Sequence, residues 1–250
     1  MSLINTEVGK LKVIVISGKY SEILPQFAQQ FNKYFSAELE VIVLSPKDIS
    51  GLPENFSHHK IPFTKYWCND VREFFSTLED EFFLGCMEDH FLYSKVDLGL
   101  LAEIIETFKD PNVIKFCGTR HTLQPSAIWD RATRDLYQYK HTDFLYDAPV
   151  KQSLMPGIWR TEFFNYMLEQ SVDWNAWEFE FRGNNYHLEP HILEHVQDKR
   201  VLFSYDKELY SMSDVIRGGQ PGRQYWEQVV KLPEDIAVFE EATRKVFPNG

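Results

Sequence analysis

The sequence predicts an α/β fold: a mostly parallel central sheet with flanking helices, followed by a mixed C-terminal half. Three observations carry that expectation. Short β-branched runs at 13–17 and 41–44 end in turn residues, and helix-spaced apolar residues lie between them. A third apolar run begins at Phe82 and stops abruptly on Glu88-Asp89-His90. Runs this apolar and this short suit strands covered on both faces, and strand–helix–strand alternation implies parallel crossovers.

Val13-Ile14-Val15-Ile16-Ser17 is the first strand, closed by Gly18. Leu24, Phe27, Phe31, Tyr34 and Phe35 share one helical face. Val41-Ile42-Val43-Leu44, ended by Ser45-Pro46, is the second strand. The polar stretch from Lys47 to Pro62, with Gly51, Pro53 and His58-His59, reads as loop. Asn69 caps a helix whose apolar face is Val71, Phe74, Phe75 and Leu78. After the strand at Phe82, Asp97 caps a helix bearing Leu101, Ile104, Ile105 and Phe108, and Val113 to Cys117 is the next strand.

From Gly118 the periodicity weakens. Ser126 to Leu136 reads as a short helix or as strands, and Phe144–Tyr146 with Gln152–Met155 as an antiparallel ribbon. Pro156-Gly157 turns the chain into Ile158-Trp159-Arg160, and Thr161 caps a helix bearing Phe164, Met167 and Leu168. His187 to Val196 is helical with Pro190 in its first turn. Val201 to Tyr205 is a late strand, Gly218 to Gly222 an open loop between Arg217 and Arg223, and Pro233 to Val246 the last helix.

At 250 residues and 44% hydrophobic, the chain can bury one large core, and no linker-like stretch divides it. One domain over 1–250 is expected, its regular half ending near residue 117. The net charge of −11 excludes a nucleic-acid backbone or an anionic membrane as main partner. No basic segment followed by an apolar one opens the chain, and no apolar run approaches the about 20 residues of a transmembrane segment. Cys68, Cys86 and Cys117 lack metal-type spacing, and Cys86 and Cys117, inside predicted strands, read as buried thiols of a reducing compartment. A cytoplasmic protein is expected.

In open α/β sheets, ligands bind beyond the carboxyl ends of the strands. Glu88, Asp89 and His90 would stand there with oxygen and imidazole groups suited to a divalent cation; the alternative is that the acidic pair caps a following helix. Gly-x-Gly-x-x-Gly after the first strand, Gly-x-x-x-x-Gly-Lys and Gly-x-Ser-x-Gly are all missing. That argues against a dinucleotide fold, a P-loop and a hydrolase elbow.

Val13 to Tyr20, Glu88-Asp89-His90, Ser153 to Arg160 with the helix after it, and Trp177-Glu178-Phe179-Glu180 resemble the GT-A glycosyltransferases, and look like family-2-type members of surface-polysaccharide gene sets. The likeness covers about residues 10–185, with Glu88-Asp89-His90 in place of the family's Asp-x-Asp. It implies a nucleotide-sugar donor held by Ser17, Gly18, Tyr20, Glu88 and Asp89 in the first half. It further implies Mg²⁺ or Mn²⁺ on Asp89, with His90 and a late histidine (His187 or His191) beside it. A carbohydrate or lipid-linked carbohydrate acceptor would be walled by Trp159 and Trp177, whose other reading is core packing. Glu180, or Glu178, would take the acceptor proton in an inverting transfer.

An extended segment puts Glu178 and Glu180 on one face with Phe179 opposite; otherwise they are a solvated acidic edge. Two other functions stand beside the transferase. One is a non-catalytic nucleotide-sugar-binding protein of the same fold. The other is a zinc hydrolase using His191, Glu194 and His195, which match His-x-x-Glu-His, although a plain polar helix face explains the same stripe. Arg217 and Arg223 either close over a diphosphate as a lid or are ordinary surface charges.

Overall fold

The computed structural model describes residues 8–117, 130–131, 137–140, 154, 156–183, 190–196, 198–203 and 209–248. The ribbon expected around Phe144–Tyr146 and Gln152–Met155 (Leu154 apart), most of the Ser126–Leu136 segment, His187, and Ser204-Tyr205 lie outside the described residues. In chain order the first elements are β1 (Lys12–Ile16), α1 (Leu24–Tyr34), β2 (Val41–Ser45), β3 (Phe56–Lys60), α2 (Trp67–Ser76), β4 (Phe82–Met87), β5 (His90–Leu92), α3 (Leu98–Thr107) and β6 (Val113–Cys117). Then come β7 (Asp130–Arg131), β8 (Tyr137–Lys140), β9 (Gly157–Arg160), α4 (Thr161–Gln170), α5 (Ala176–Gly183), α6 (Pro190–Val196) and β10 (Arg200–Phe203). The chain ends with β11 (Met212–Asp214), β12 (Ile216–Arg217), β13 (Gln220–Pro221), α7 (Arg223–Val229) and α8 (Pro233–Val246).

The packing falls into two compact units that cut across the division expected near residue 117. One gathers Lys12–Ile61, Cys86–Asp97 and Tyr210–Gly250. Here β1, β2 and β3 pair in parallel, in that order. The Lys47–Pro62 stretch is therefore not all loop. Only Phe56 of β3 is buried, so a polar strand of this kind carries no apolar run to betray it. Phe27 and Phe31 of α1 pack edge-on against Phe56, and Phe27 against Phe91. Phe91 in turn meets Phe239 of α8, which also meets Trp226 of α7. Asp235, buried in the first turn of α8, receives the Lys33 ammonium at 2.6 Å, the Gln30 amide at 3.1 Å and the Tyr34 hydroxyl. One carboxylate thus clamps α8 to α1.

The other unit gathers Met1–Leu11, Pro62–Gly85 and Leu98–Leu209. Its strands lie in the order β4-β9-β6-β10-β8-β7. β6 and β10 are parallel, and β8 and β9 run against their neighbours. The α/β class, with parallel strands at its centre and helices flanking them, stands. Phe164 of α4 centres the helical layer, with ring centroids 4.6 Å from Phe75, 5.2 Å from Phe83 and 5.7 Å from Phe179.

Two expected helix starts differ, and one segment read as extended is helical. α2 begins at Trp67 rather than at Asn69, whose amide instead donates to Asp173 at 2.7 Å. The Thr161 hydroxyl does not cap α4; it donates to the Asp80 carbonyl. The 177–180 segment is helical, not extended, because Asn175 and Glu178 form a capping box. The Glu178 amide donates to Asn175 Oδ1 at 2.9 Å, and Glu178 Oε2 accepts from the Asn175 amide at 3.1 Å.

Candidate functional site

β4 is apolar and buried to Cys86, and the chain then reverses over Glu88-Asp89 into β5. The acidic pair forms this turn and caps no helix. β5 pairs antiparallel with β11, setting His90 directly opposite Asp214. Opposed residues of two strands share a face, so their side chains meet.

Glu88 is 3% exposed, and its carboxylate accepts the Tyr20 amide at 3.1 Å. Burial pushes this carboxyl up to about 8; Asp89 adds to the rise, and backbone N–H groups at Glu88, Tyr20 and Lys19 oppose it. Burial also raises the Asp89 carboxyl, opposed by His90 and reinforced by Asp214. The Asp89 carbonyl accepts the Val215 amide at 2.8 Å. His90 is 8% exposed. Its Nδ1 lies 3.7 Å from Asp89 Oδ1 with no hydrogen-bond partner, and its Nε2 lies 3.3 Å from Asp214 Oδ1.

Gly218 and Gly219 have φ of +57° and +76° and close β12 on β13, so the expected open loop is a hairpin. A Cβ on Gly219 would lie 3.9 Å from the Tyr20 hydroxyl. Arg217 Nε stands 3.7 Å from Asp214 Oδ2, with its guanidinium over the Tyr225 ring. Arg223 is occupied by Glu227 at 2.8 Å and Glu240 at 2.9 Å.

β1 is followed by Ser17 and Gly18. Ser17 is buried with its hydroxyl unpartnered, and a Cβ on Gly18 would meet nothing within 4 Å. The same unit holds a cavity of about 330 Å³ lined by Ser21, Glu22, Pro25, Lys47, Asp48 and Lys245 among others. Thus Ser17, Gly18, Tyr20, Glu88, Asp89 and His90, all foreseen, lie in one unit. Asp214 was missed, since nothing in its surroundings marks it until the register with His90 is known.

The remaining expected residues belong to the other unit. Trp159, 2% exposed, is a core residue and not an acceptor wall: Lys115 Nζ sits 3.9 Å over its ring, and Phe164 packs 5.1 Å away. Trp177 is 65% exposed on α5. Positions two apart on a helix point about 200° apart, so Glu178 and Glu180 do not share a face. Glu178 serves the capping box and pairs with Arg182 at 2.9 Å, while Glu180 accepts the Leu154 amide at 2.6 Å. Lys115, 1% exposed, was not foreseen; burial lowers its ammonium to about 8, opposed by Cys117 and Glu180. His191 is exposed on α6, and the His195 ring stacks on Tyr166 at 3.9 Å.

Among the described residues, no group of three or more His, Cys, Asp or Glu side chains could hold a metal ion, which gives the expected His191/Glu194/His195 zinc set no support there. Asp89 and His90 present one oxygen and one nitrogen 3.7 Å apart, donor types that a divalent cation accepts.

Fold and turn together define an α/β domain with an acidic reversal at the end of a buried strand. No protein-family model matches the chain, and neither does any curated protein. Among solved structures it is similar to the 4-diphosphocytidyl-2C-methyl-D-erythritol synthase of Anaerococcus prevotii (12% identity, 97% of this chain and 99% of that one, TM-score 0.44). It is also similar to a UDP-glucose pyrophosphorylase complexed with UDP-glucose (9% identity, 96% and 99%, TM-score 0.49). A third is a cytidylyltransferase of Leptospira borgpetersenii (11% identity, 96% and 97%, TM-score 0.42). None of the three is a glycosyltransferase by name, and likeness at these values concerns the fold alone. Among the described residues, no helix is long and apolar enough to cross a membrane.

Proposed function

We propose that this chain is a cytoplasmic enzyme that uses a nucleotide sugar, moving the sugar from its nucleotide diphosphate to a hydroxyl of a carbohydrate or lipid-linked carbohydrate. The observation that carries this reading is the fastening of the Glu88-Asp89 turn to the loop after β1 by the Tyr20–Glu88 hydrogen bond. It joins the acidic turn to the loop at Gly18 to Tyr20, where a Cβ on Gly18 would meet nothing within 4 Å. A phosphorylated nucleoside has room there, at the carboxyl ends of parallel strands.

Under this reading Asp89 and His90 hold Mg²⁺ or Mn²⁺, which neutralises the diphosphate leaving group. Glu88, buried and bonded to backbone, shapes the loop and does not ligate. An inverting transfer would also need a carboxylate to take the proton of the acceptor hydroxyl.

The test is incubation with a panel of nucleotide sugars and either ion. Donor hydrolysis or transfer is expected, abolished in Asp89→Asn at nearly unchanged melting temperature. Tight binding without turnover across donors and acceptors would instead make the chain a nucleotide-sugar-binding protein, and no binding at all would end the reading.

A further inference from the structure

We propose that the cavity lined by α7 and α8 is a binding site for a small monocarboxylate with an apolar body, received by Arg244 and by the Trp226 indole N–H. The site lies wholly within one unit and stands independently of the proposed function. It measures about 220 Å³, and Pro221, Arg223, Trp226, Glu240, Arg244 and Phe247 line it. Pockets for drug-sized molecules run to about 300–1,000 Å³, so this ligand is smaller. The walls are fixed by the fold. The Gly222 amide, at the head of α7, donates to the Val215 carbonyl at 2.8 Å. The Trp226 ring packs 5.5 Å from Phe239 of α8, and the Phe247 amide closes the last turn of α8 on the Thr243 carbonyl at 2.9 Å.

Trp226 is fully buried, and its Nε1 has no hydrogen-bond partner. An indole nitrogen can only donate, and a buried donor is costly to leave unpaired. An acceptor atom held in the cavity that Trp226 lines relieves that cost. Arg244, exposed in the last turn of α8, has no hydrogen bond or ion pair among the described residues. Arg223 is engaged already: its Nε lies 2.8 Å from Glu227 and its Nη2 2.9 Å from Glu240, with the guanidinium 5.9 Å from the centre of the Trp226 ring. A free guanidinium matches a carboxylate through two parallel N–H donors. Charge selects a monoanion. Arg223 is neutralised by two carboxylates, so Arg244 faces the ligand, and a dianion such as phosphate would meet Glu240 in the same wall. The Pro221, Trp226 and Phe247 faces suit an apolar body beside the carboxylate.

Benzoate tests this, read in ¹H–¹⁵N spectra of the tryptophan indoles of the full chain, with Trp226→Phe for assignment. The Trp226 indole signal is expected to move saturably, half-way at about 1 mM or below, while the other tryptophan indoles stay in place. Benzyl alcohol, which lacks the carboxylate, and inorganic phosphate, which lacks the apolar body, should each bind at least about 10-fold more weakly. Arg244→Gln changes an exposed side chain, so it should fold as the wild type does and lose about 10-fold in benzoate affinity by calorimetry. A Trp226 signal that does not move at about tenfold higher benzoate overturns the proposal. So does equal binding of benzyl alcohol or phosphate, or an unchanged benzoate affinity in Arg244→Gln. If Trp226→Phe does not fold, the Arg244→Gln affinity and the two analogues decide.

Discussion

The backbone amide of Tyr20 donates to the buried carboxylate of Glu88 at 3.1 Å, so the loop after β1 and the turn after β4 are held as one piece. That carboxyl also sits in a place with little water. Burial raises it from about 4.5 to about 8. Across that window the folded protein keeps a proton that the unfolded chain has released. Stability therefore falls as pH rises from about 4.5 to about 8 and levels off above it. Glu88→Gln still accepts from Tyr20 and should flatten the slope by an amount on the order of a few kcal/mol. Denaturant unfolding at several pH values between these limits measures it.

Lys115 predicts the opposite slope. Its ammonium is lowered from 10.5 to about 8 by burial, so the unfolded chain holds the extra proton between those values. Stability contributed at this site rises with pH through the window and is weakest below it. Lys115→Met keeps the volume and removes the buried charge. A gain on the order of 1 kcal/mol or more at neutral pH is expected in chemical denaturation.

Two glycines separate room from function. Gly222 has an ordinary φ of −78°, yet an added methyl would strike the carbonyl oxygens of Asp214 at 2.1 Å and Val215 at 2.9 Å. Gly222→Ala should cost about 1–3 kcal/mol or more. Gly18→Ala meets nothing within 4 Å and should leave the melting temperature alone. Under the proposed function it weakens nucleoside diphosphate binding, which calorimetry reads directly.

Arg160 holds the loop before β6 from within. It donates to the carbonyls of Val113 at 2.9 Å, Asp110 at 3.0 Å and Phe108, and pairs with Glu81 at 2.6 Å. Arg160→Met strands three carbonyl acceptors and should cost about 3 kcal/mol, seen as an earlier denaturation midpoint.

The elements that could be read in the sequence are those whose burial is complete. β1, β2 and β4 are built on apolar runs, β6 on one that only Lys115 interrupts, and α8 spans Pro233–Val246 as its proline and periodicity imply. β3 escaped because only Phe56 is buried, so its pairing rests on backbone bonds that leave no apolar trace. α5 was misread because Trp177-Glu178-Phe179-Glu180 alternates like a strand, whereas the cap written in Asn175 and Glu178 was the stronger signal. The acidic turn was legible from its place at a strand end. Its partner was not: Asp214 meets His90 only through a pairing between segments over 100 residues apart.

The central claim is that the Glu88-Asp89 turn receives the metal-bound diphosphate of a nucleotide. Crystals soaked with manganese and a nucleoside diphosphate test it most directly, through the anomalous signal of the ion. A peak within ligand distance of Asp89 and His90 Nδ1 is expected, with the nucleoside beside the loop after β1. Nucleotide density elsewhere, with Asp89 bare of manganese, would contradict it.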